Sequence, residues 1–314
     1  MLTLKRFIQK YLSKLSLSKS KVVPGVYFIN PSPTISKVLF YLNDPKKFHL
    51  GDHFFIEPLV RLMRDNYLEV EIIPLPQMNF YFERLGFVVP KQFDPSRYDL
   101  IISRIEFYPL LEKISKTLLI LDTTDNRIDQ PICDYFLEHV ATLLQLNPKI
   151  TSAKPFTPNF ESPSSLIDPS KKYLIFNNYL ASSRFLITKS DLNLLAQTAR
   201  QVAHEGNMQI IHTGTTQEKL HDPEVYDFVD VDLRGKLSVE ELFSLYASDN
   251  ILHNVSFDAF GMHLFLLYNK PSHILFRGRL LKRNQEYVLH YLNPPFFLSE
   301  KERDRLITYI GKSK

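Results

Sequence analysis

From Pro24 onward the chain repeats one pattern, a short apolar run followed by a stretch with helical spacing of its apolar residues. This alternation restricts the fold more than any other feature, because strands joined through crossover helices must run parallel. In the first half, residues 37–42, 70–75, 100–103 and 117–121 read as strands, and 53–66, 78–85 and 132–146 as helical segments, with Pro58 near the first turn of the first. Between about 148 and 170 the periodicity stops, and Pro148, Pro155, Pro158, Pro163 and Pro169 stand among Ser, Thr and Asn, as in an interdomain linker. A second series follows, with strands at 173–176, 208–212, 228–233, 251–255 and 273–276 and helices at 189–205, 238–247 and from Gly261. A last helix is expected over 300–310, with Ser299 as N-cap and Glu302 three residues on. A chain of 314 residues exceeds one ordinary hydrophobic core. The expected division is an N-terminal segment 1–22, a domain 23–150, a linker 151–170 and a domain 171–314.

Apolar residues at 44% and charged residues at 23% place the chain among soluble globular proteins. Cys133 is the only cysteine, which excludes an internal disulfide and a Cys-based metal cluster and suits a reducing cytoplasm. It reads as a buried core thiol. Charge is uneven: Lys5, Arg6, Lys10, Lys14, Lys19 and Lys21 put six positive charges and no acid in residues 1–22, so a net charge of +4 leaves −2 for the remainder. Leu4, Phe7, Ile8, Tyr11, Leu12 and Leu15 recur there at helical spacing, which reads as a basic amphipathic helix. Such a helix suits an anionic membrane surface or packs on the body of the protein with its lysines in water. It lacks the apolar run of a signal peptide or a transmembrane span.

Ligands of parallel α/β folds lie beyond the carboxyl ends of the strands, so the loops after strands are the places to look. Three stand out. In Phe48-His-Leu-Gly-Asp-His53, Gly51 allows close approach of a ligand and Asp52 stands where a helix begins, as a reactive carboxylate or as a helix cap. His49 and His53 are four residues apart, but no third ligand accompanies them, and no metal is expected. In Ile251–Tyr268 a strand, a turn with Asp258 and a helix start at Gly261, Met262 and His263 make a phosphate-ready terminus, with Arg277 and Arg279 after the next strand. His263 reads equally as a structural, capped histidine. In Ile210–Glu218, Thr213 and Gly214 offer a hydroxyl and backbone amides to a nucleotide, and Glu218 can accept from ribose hydroxyls; a plain polar turn is the alternative. No Gly-x-Gly-x-x-Gly, P-loop or Gly-x-Ser-x-Gly pattern occurs, and no basic strip interleaved with aromatics, so nucleic acid is not an expected partner.

Taken in order, these segments resemble the heptosyltransferases of glycosyltransferase family 9. His49–Leu62 resembles the family's Gly-Asp loop and following helix, Leu233–Leu245 its Leu-x-Gly-x-x-Ser-Leu-x-Glu-Leu helix entry, and Asn254–Pro271 its donor loop. The resemblance implies the GT-B fold, two Rossmann-like doubly wound domains facing a central cleft, and an inverting, metal-independent transfer from a nucleoside-diphosphate sugar. It implies Asp52 as catalytic base with Gly51 and His53 toward the acceptor, and Asp258, Gly261, Met262 and His263 at the donor diphosphate. Glu218 falls at the ribose and Leu237 near the base. The family's Lys-x-Trp after the first C-terminal strand is replaced by Ala181–Lys189, where Arg184 or Lys189 substitutes, and its donor-loop Ser and Gly are Ala259 and Phe260. The implied donor is a nucleotide sugar carrying heptose or a hexose-like sugar, with no cofactor. The implied acceptor is a lipopolysaccharide, lipooligosaccharide or capsule-type glycan, met at the inner face of a bacterial inner membrane. A nucleotide-sugar epimerase of the same fold, or a non-catalytic polysaccharide assembly protein, are the alternatives.

Overall fold

A computed structural model describes residues 20–32, 34–44, 49–66, 68–111, 114, 116–123, 128, 130–160, 166–178, 188–257, 259–275, 296–298 and 306–309. The chain divides into two compact units, one made of Met1–His49 and Ile56–Ala153, the other of Leu50–Phe55 and Lys154–Lys314.

The first unit opens with a hairpin, β1 (Ser20–Val23) and β2 (Val26–Ile29), turned by Pro24 and Gly25. The chain continues through β3 (Lys37–Tyr41), helix α1 (His53–Asp65), β4 (Glu69–Ile73), α2 (Asn79–Arg84), β5 (Leu100–Arg104), α3 (Tyr108–Leu111), β6 (Thr117–Leu121) and α4 (Ile132–Leu144). The sheet order is β1-β2-β6-β5-β3-β4, with β6, β5, β3 and β4 parallel and the hairpin antiparallel at one edge. Every residue of β5 and β6 is buried, and residues 100–102 and 118–121 read as continuous apolar runs rather than alternating ones. Cys133 in α4 is buried, and burial pushes its thiol well up.

The second unit carries β7 (Tyr173–Asn177), α5 (Lys189–Gly206), β8 (Gln209–His212), α6 (Thr216–His221), β9 (Val231–Asp232), α7 (Val239–Ala247), β10 (Ile251–Phe257), α8 (Phe260–Leu267), β11 (Ser272–Leu275), β12 (Phe296–Leu298) and β13 (Leu306–Tyr309). Its order is β12-β13-β11-β10-β7-β8-β9, parallel from β11 to β9, with β13 antiparallel to β11 and β12 antiparallel to β13. Three of its helices begin with a reciprocal capping box: Thr188 with Asp191, Thr215 with Glu218 and Ser238 with Glu241. Each satisfies two backbone donors that the first turn leaves without helical partners.

Four expectations change. Residues 20–22 are strand, not the end of an N-terminal helix, because Val22-Val-Pro-Gly-Val26 is a hairpin pattern; residues 1–19 lie outside the described residues. The helix expected over 300–310 is not seen at its end: Leu306-Ile-Thr-Tyr309 pairs with β11 as strand. Its β-branched and aromatic residues suit a pleated surface, and the edge of a sheet supplies the partner; Ser299 and Glu302 lie outside the described residues. The strand expected at 228–233 shortens to Val231–Asp232, the two residues that pair with β8, while the Phe228 ring packs 5.4 Å from that of Phe176. Within the Pro-rich stretch, residues 154–160 pack in the second unit: Thr157 donates to the Leu267 carbonyl, Tyr268 to that of Pro158, and Phe160 meets Phe243 at 5.9 Å.

The hairpin depends on a left-handed glycine. Gly25 has φ +71°, and a Cβ there would stand 2.9 Å from Ile128 Cδ1 and 3.0 Å from the Asp122 carbonyl oxygen. Gly86 has φ +80° with nothing within 4 Å. Gly86→Ala should lower unfolding free energy by about 1–2 kcal/mol, the cost of left-handed backbone alone, and Gly25→Ala by clearly more. Urea denaturation of the two variants measures the difference, and equal losses would remove the crowding argument.

Candidate functional site

In the second sheet the chain passes from β7 to β8 and β9 on one side and from β10 to β11 on the other. The loops after β7 and β10 therefore diverge at a topological switch point, where parallel α/β folds hold ligands. The loop after β10 leads through Ala259 into α8, and Ala259 makes no side-chain cap. The first amides of α8 are thus left to backbone partners or a ligand, with the positive end of the helix dipole behind them.

The turn Leu50-Gly-Asp52 and the first residues of α1 pack against this helix start within the second unit. Gly51 lies against the His263 imidazole so closely that a Cβ would fall 2.7 Å from Nε2. Phe54 stacks on Phe260 at 6.1 Å and 4°, and Phe55 meets His263 edge-on at 5.6 Å. Phe54, Phe243 and Phe260 lie within 6.0–6.1 Å of one another, a cluster that fixes the turn on the helix. Asp52 is half-buried, and its charge acts on the His263 ring. Burial lowers the His263 pKa to about 4 and prevails over Asp52, which pulls it up. Near neutrality His263 is therefore an uncharged ring that can donate one N–H, not a cation.

Tyr246 of α7 joins this group to the loop after β8. Its buried hydroxyl is hydrogen bonded to Thr213 Oγ1 at 3.2 Å, and a Cβ on Gly261 would stand 2.7 Å from the same oxygen. Gly214 follows, with Glu218 closing the capping box onto the Thr215 amide; burial raises the Glu218 carboxyl pKa. A carboxylate offers about four lone-pair sites, so the cap leaves acceptor capacity. Beneath Gly214 lies the buried Arg234, which donates to the Asp222 carbonyl at 2.6 Å, the Glu224 carbonyl at 2.9 Å and the Asp232 carboxylate at 3.0 Å. Arg234 holds the Asp232 carboxyl far below its ordinary range.

Of the residues expected from the sequence, Gly51, Asp52, Gly261, Met262 and His263 are brought together, with Thr213, Gly214 and Glu218 linked to them through Tyr246. His53, expected toward the acceptor, is fully buried, and its Nδ1 donates to the Leu50 carbonyl at 2.9 Å. Met262 is buried as well. Lys189 is exposed at the start of α5, and Leu237 is half-buried just before the Ser238 cap. Arg184, Asp258 and Arg277 lie outside the described residues. Among the described residues no three His, Cys, Asp or Glu side chains gather as metal ligands. No helix among them is long and apolar enough to cross a membrane. Sequence reading did not single out Tyr246 or Arg234. Asp232-x-Arg234 was a legible ion-pair spacing, whereas Tyr246 looked like any apolar position of an amphipathic helix.

Removing the Tyr246 hydroxyl would leave ring carbon Cζ, 3.5 Å from a Cβ at position 261, as the next contact. Gly261→Ala should therefore cost about 1–3 kcal/mol by overpacking, and Tyr246→Phe in that background should recover part of it, although alone it loses a hydrogen bond of about 1 kcal/mol. A double-mutant cycle by chemical denaturation reads the coupling; strict additivity would deny the contact. Because the folded pKa of His263 lies below its ordinary 6.5, its contribution to stability is complete above pH 6.5 and is lost as pH falls toward 4. His263→Asn should flatten the stability profile in that window.

No protein-family model matches the chain, and no curated protein matches it in sequence. Solved structures do. A glycosyltransferase of family 9 from Veillonella parvula DSM 2008 superimposes with TM-score 0.54 and 12% identity over 78% of this chain and 83% of its own. The E. coli ADP-heptose lipopolysaccharide heptosyltransferase II gives 0.55 and 11% over 85% and 92%. The dodecameric iron-containing heptosyltransferase TibC, in complex with ADP-D-β-D-heptose, gives 0.51 and 9% over 78% and 59%. The chain thus has the two-unit parallel-sheet α/β fold of these GT-B glycosyltransferases.

Proposed function

We propose that the protein is an inverting glycosyltransferase that moves a heptose or hexose-like sugar from a nucleoside diphosphate to an acceptor hydroxyl. The observation that carries this reading is the packing of the Gly51-Asp52 turn on the start of α8, which sets a carboxylate beside a helix terminus suited to a diphosphate. In the reaction the acceptor oxygen attacks the anomeric carbon. Its proton passes to the Asp52 carboxylate, and the bond to the diphosphate breaks with the electron pair on the leaving phosphate oxygen. The amides of Phe260 and Gly261 and the N–H of neutral His263 receive the growing charge, with Arg184, Lys189 and Arg277 as candidate cations in place of a metal. Thr213, Gly214 and Glu218 take the ribose side, and Leu237 lies near the base. Asp258 completes the diphosphate loop.

The named neighbours support the donor class, since one is an ADP-heptose heptosyltransferase and another is a complex with ADP-heptose. By the same analogy the acceptor is a lipopolysaccharide or related envelope glycan, and the enzyme works at the inner face of the inner membrane. Asp52→Asn should abolish sugar transfer while donor binding stays nearly unchanged, measured by product formation beside calorimetric titration with the nucleotide sugar. Loss of binding in parallel with turnover, or retained turnover, would remove Asp52 from the base role. A nucleotide sugar at about 100 times its Kd should stabilise the fold by roughly 2.7 kcal/mol. A panel of ADP-, UDP- and GDP-sugars in a thermal-shift assay would identify the base, and no shift with any of them would count against the reading.

A further inference from the structure

Two buried hydroxyls in the second unit share one hydrogen bond. Tyr246 of α7 and Thr213 at the end of β8 are both almost fully buried, and their oxygens lie 3.2 Å apart. Burial raises the pKa of the phenol, so near neutrality both groups carry a proton. One bond uses one of the two protons. The other has no acceptor among the described residues, and a buried O–H in that state costs about 1–3 kcal/mol. The backbone of Gly261 covers the phenol oxygen, since a Cβ there would stand 2.7 Å from it. Thr213 instead stands where the loop after β8 begins, followed by Gly214. The arrangement that leaves the spare proton nearer a ligand has Tyr246 donating and Thr213 accepting.

The backbone of Thr213 is already committed to β7. Its N–H donates to the Phe176 carbonyl at 3.0 Å, and its carbonyl accepts from Asn177 Nδ2 at 3.1 Å. The hydroxyl is thus held in place, with its proton as the group left to give. The chemistry on either side divides a nucleotide in two. Glu218 offers a carboxylate, which accepts from ribose hydroxyls, whereas a phosphate oxygen only accepts and needs a donor. The phenol oxygen shared by Thr213 and Gly261 brings the Thr213 hydroxyl beside the first turn of α8, whose dipole favours an anion. Resting on the reading of this unit as the nucleotide-sugar site, we propose that Tyr246 is a positioning residue: by donating to Thr213 Oγ1 it aims the Thr213 proton at the phosphate nearest the ribose.

The test is calorimetric titration of the full native chain with ADP, UDP and GDP. The diphosphate that binds most tightly, and its matching nucleoside, are then titrated into Tyr246→Phe, Thr213→Val, Thr213→Ser and the double variant Tyr246→Phe with Thr213→Val. Thr213→Val removes the hydroxyl and should weaken the diphosphate about tenfold while the nucleoside binds as before. Tyr246→Phe should also weaken the diphosphate alone. The double variant should bind no more weakly than Thr213→Val, because both changes remove the same directed proton. Thr213→Ser, which keeps the hydroxyl, should bind as the native chain does. A native chain that binds none of the three diphosphates would remove the donor site, and this role with it. Where the native chain binds, three results would overturn the role of Tyr246 and leave the donor site standing: unchanged diphosphate affinity in either single variant, equal losses for diphosphate and nucleoside, or additive losses in the double variant.

Discussion

The candidate site depends on one close approach, the backbone of Gly51 against the imidazole of His263. A Cβ there would fall 2.7 Å from Nε2 of the ring, so any larger residue would have to displace His263. The approach places Asp52 at its distance from α8, and it excludes water from His263, which is what keeps the ring uncharged near neutrality. It is held by aromatic packing. Phe54, Phe243 and Phe260 meet within 6.0–6.1 Å, and Phe160 reaches Phe243 at 5.9 Å. Burying a side chain such as Phe54 contributes about 1.5–3 kcal/mol, and aromatic pairs add roughly 0.5–1.5 kcal/mol beyond area. Such a cluster accounts for the grouping of Leu50–Phe55 and of the chain from Lys154 with the second unit.

The polar side of the site is braced from below. Tyr246 bridges toward Thr213 and Gly261, and Arg234 ties the loop carbonyls of Asp222 and Glu224 to Asp232 beneath Gly214. Both are buried polar groups; loss of Arg234 leaves the Asp222 and Glu224 carbonyls short of a donor, and loss of the Tyr246 hydroxyl takes a partner from the Thr213 side chain. A loop that must present amides to an anion needs this kind of support, because loops carry little packing of their own. The capping box at Thr215 adds to it by using Glu218 to start α6 at a fixed place.

Much of the fold was legible in particular residues. Leu100–Arg104 and Thr117–Leu121 are buried throughout, and the apolar runs 100–102 and 118–121 within them announce the strands. The capping residues Thr188 and Ser238 mark helix starts where the apolar periodicity begins. The segment Leu306–Tyr309 was misread because a short apolar stretch after a Ser-x-x-Glu signal fits helix and strand equally. Pairing with β11, more than thirty residues away, settled it. Ser20–Ile29 was obscured by the helical spacing that runs into it from the N-terminal segment.

What the sequence by itself determined is the class of fold and the identity of the loops that could bind. Both follow from local pattern: apolar periodicity, proline punctuation, and glycines beside strand ends. Only the tertiary structure decided which of these loops meet, and that His263 is buried where its charged form is disfavoured. It turned His53 inward to Leu50, set His263 against Gly51, and put the Tyr246 hydroxyl between Thr213 and Gly261. Periodicity reports which face of an element is buried but not what lies across from it. Proximity and desolvation belong to pairs of residues far apart in the chain, and they exist only once the sheet order has brought those residues together.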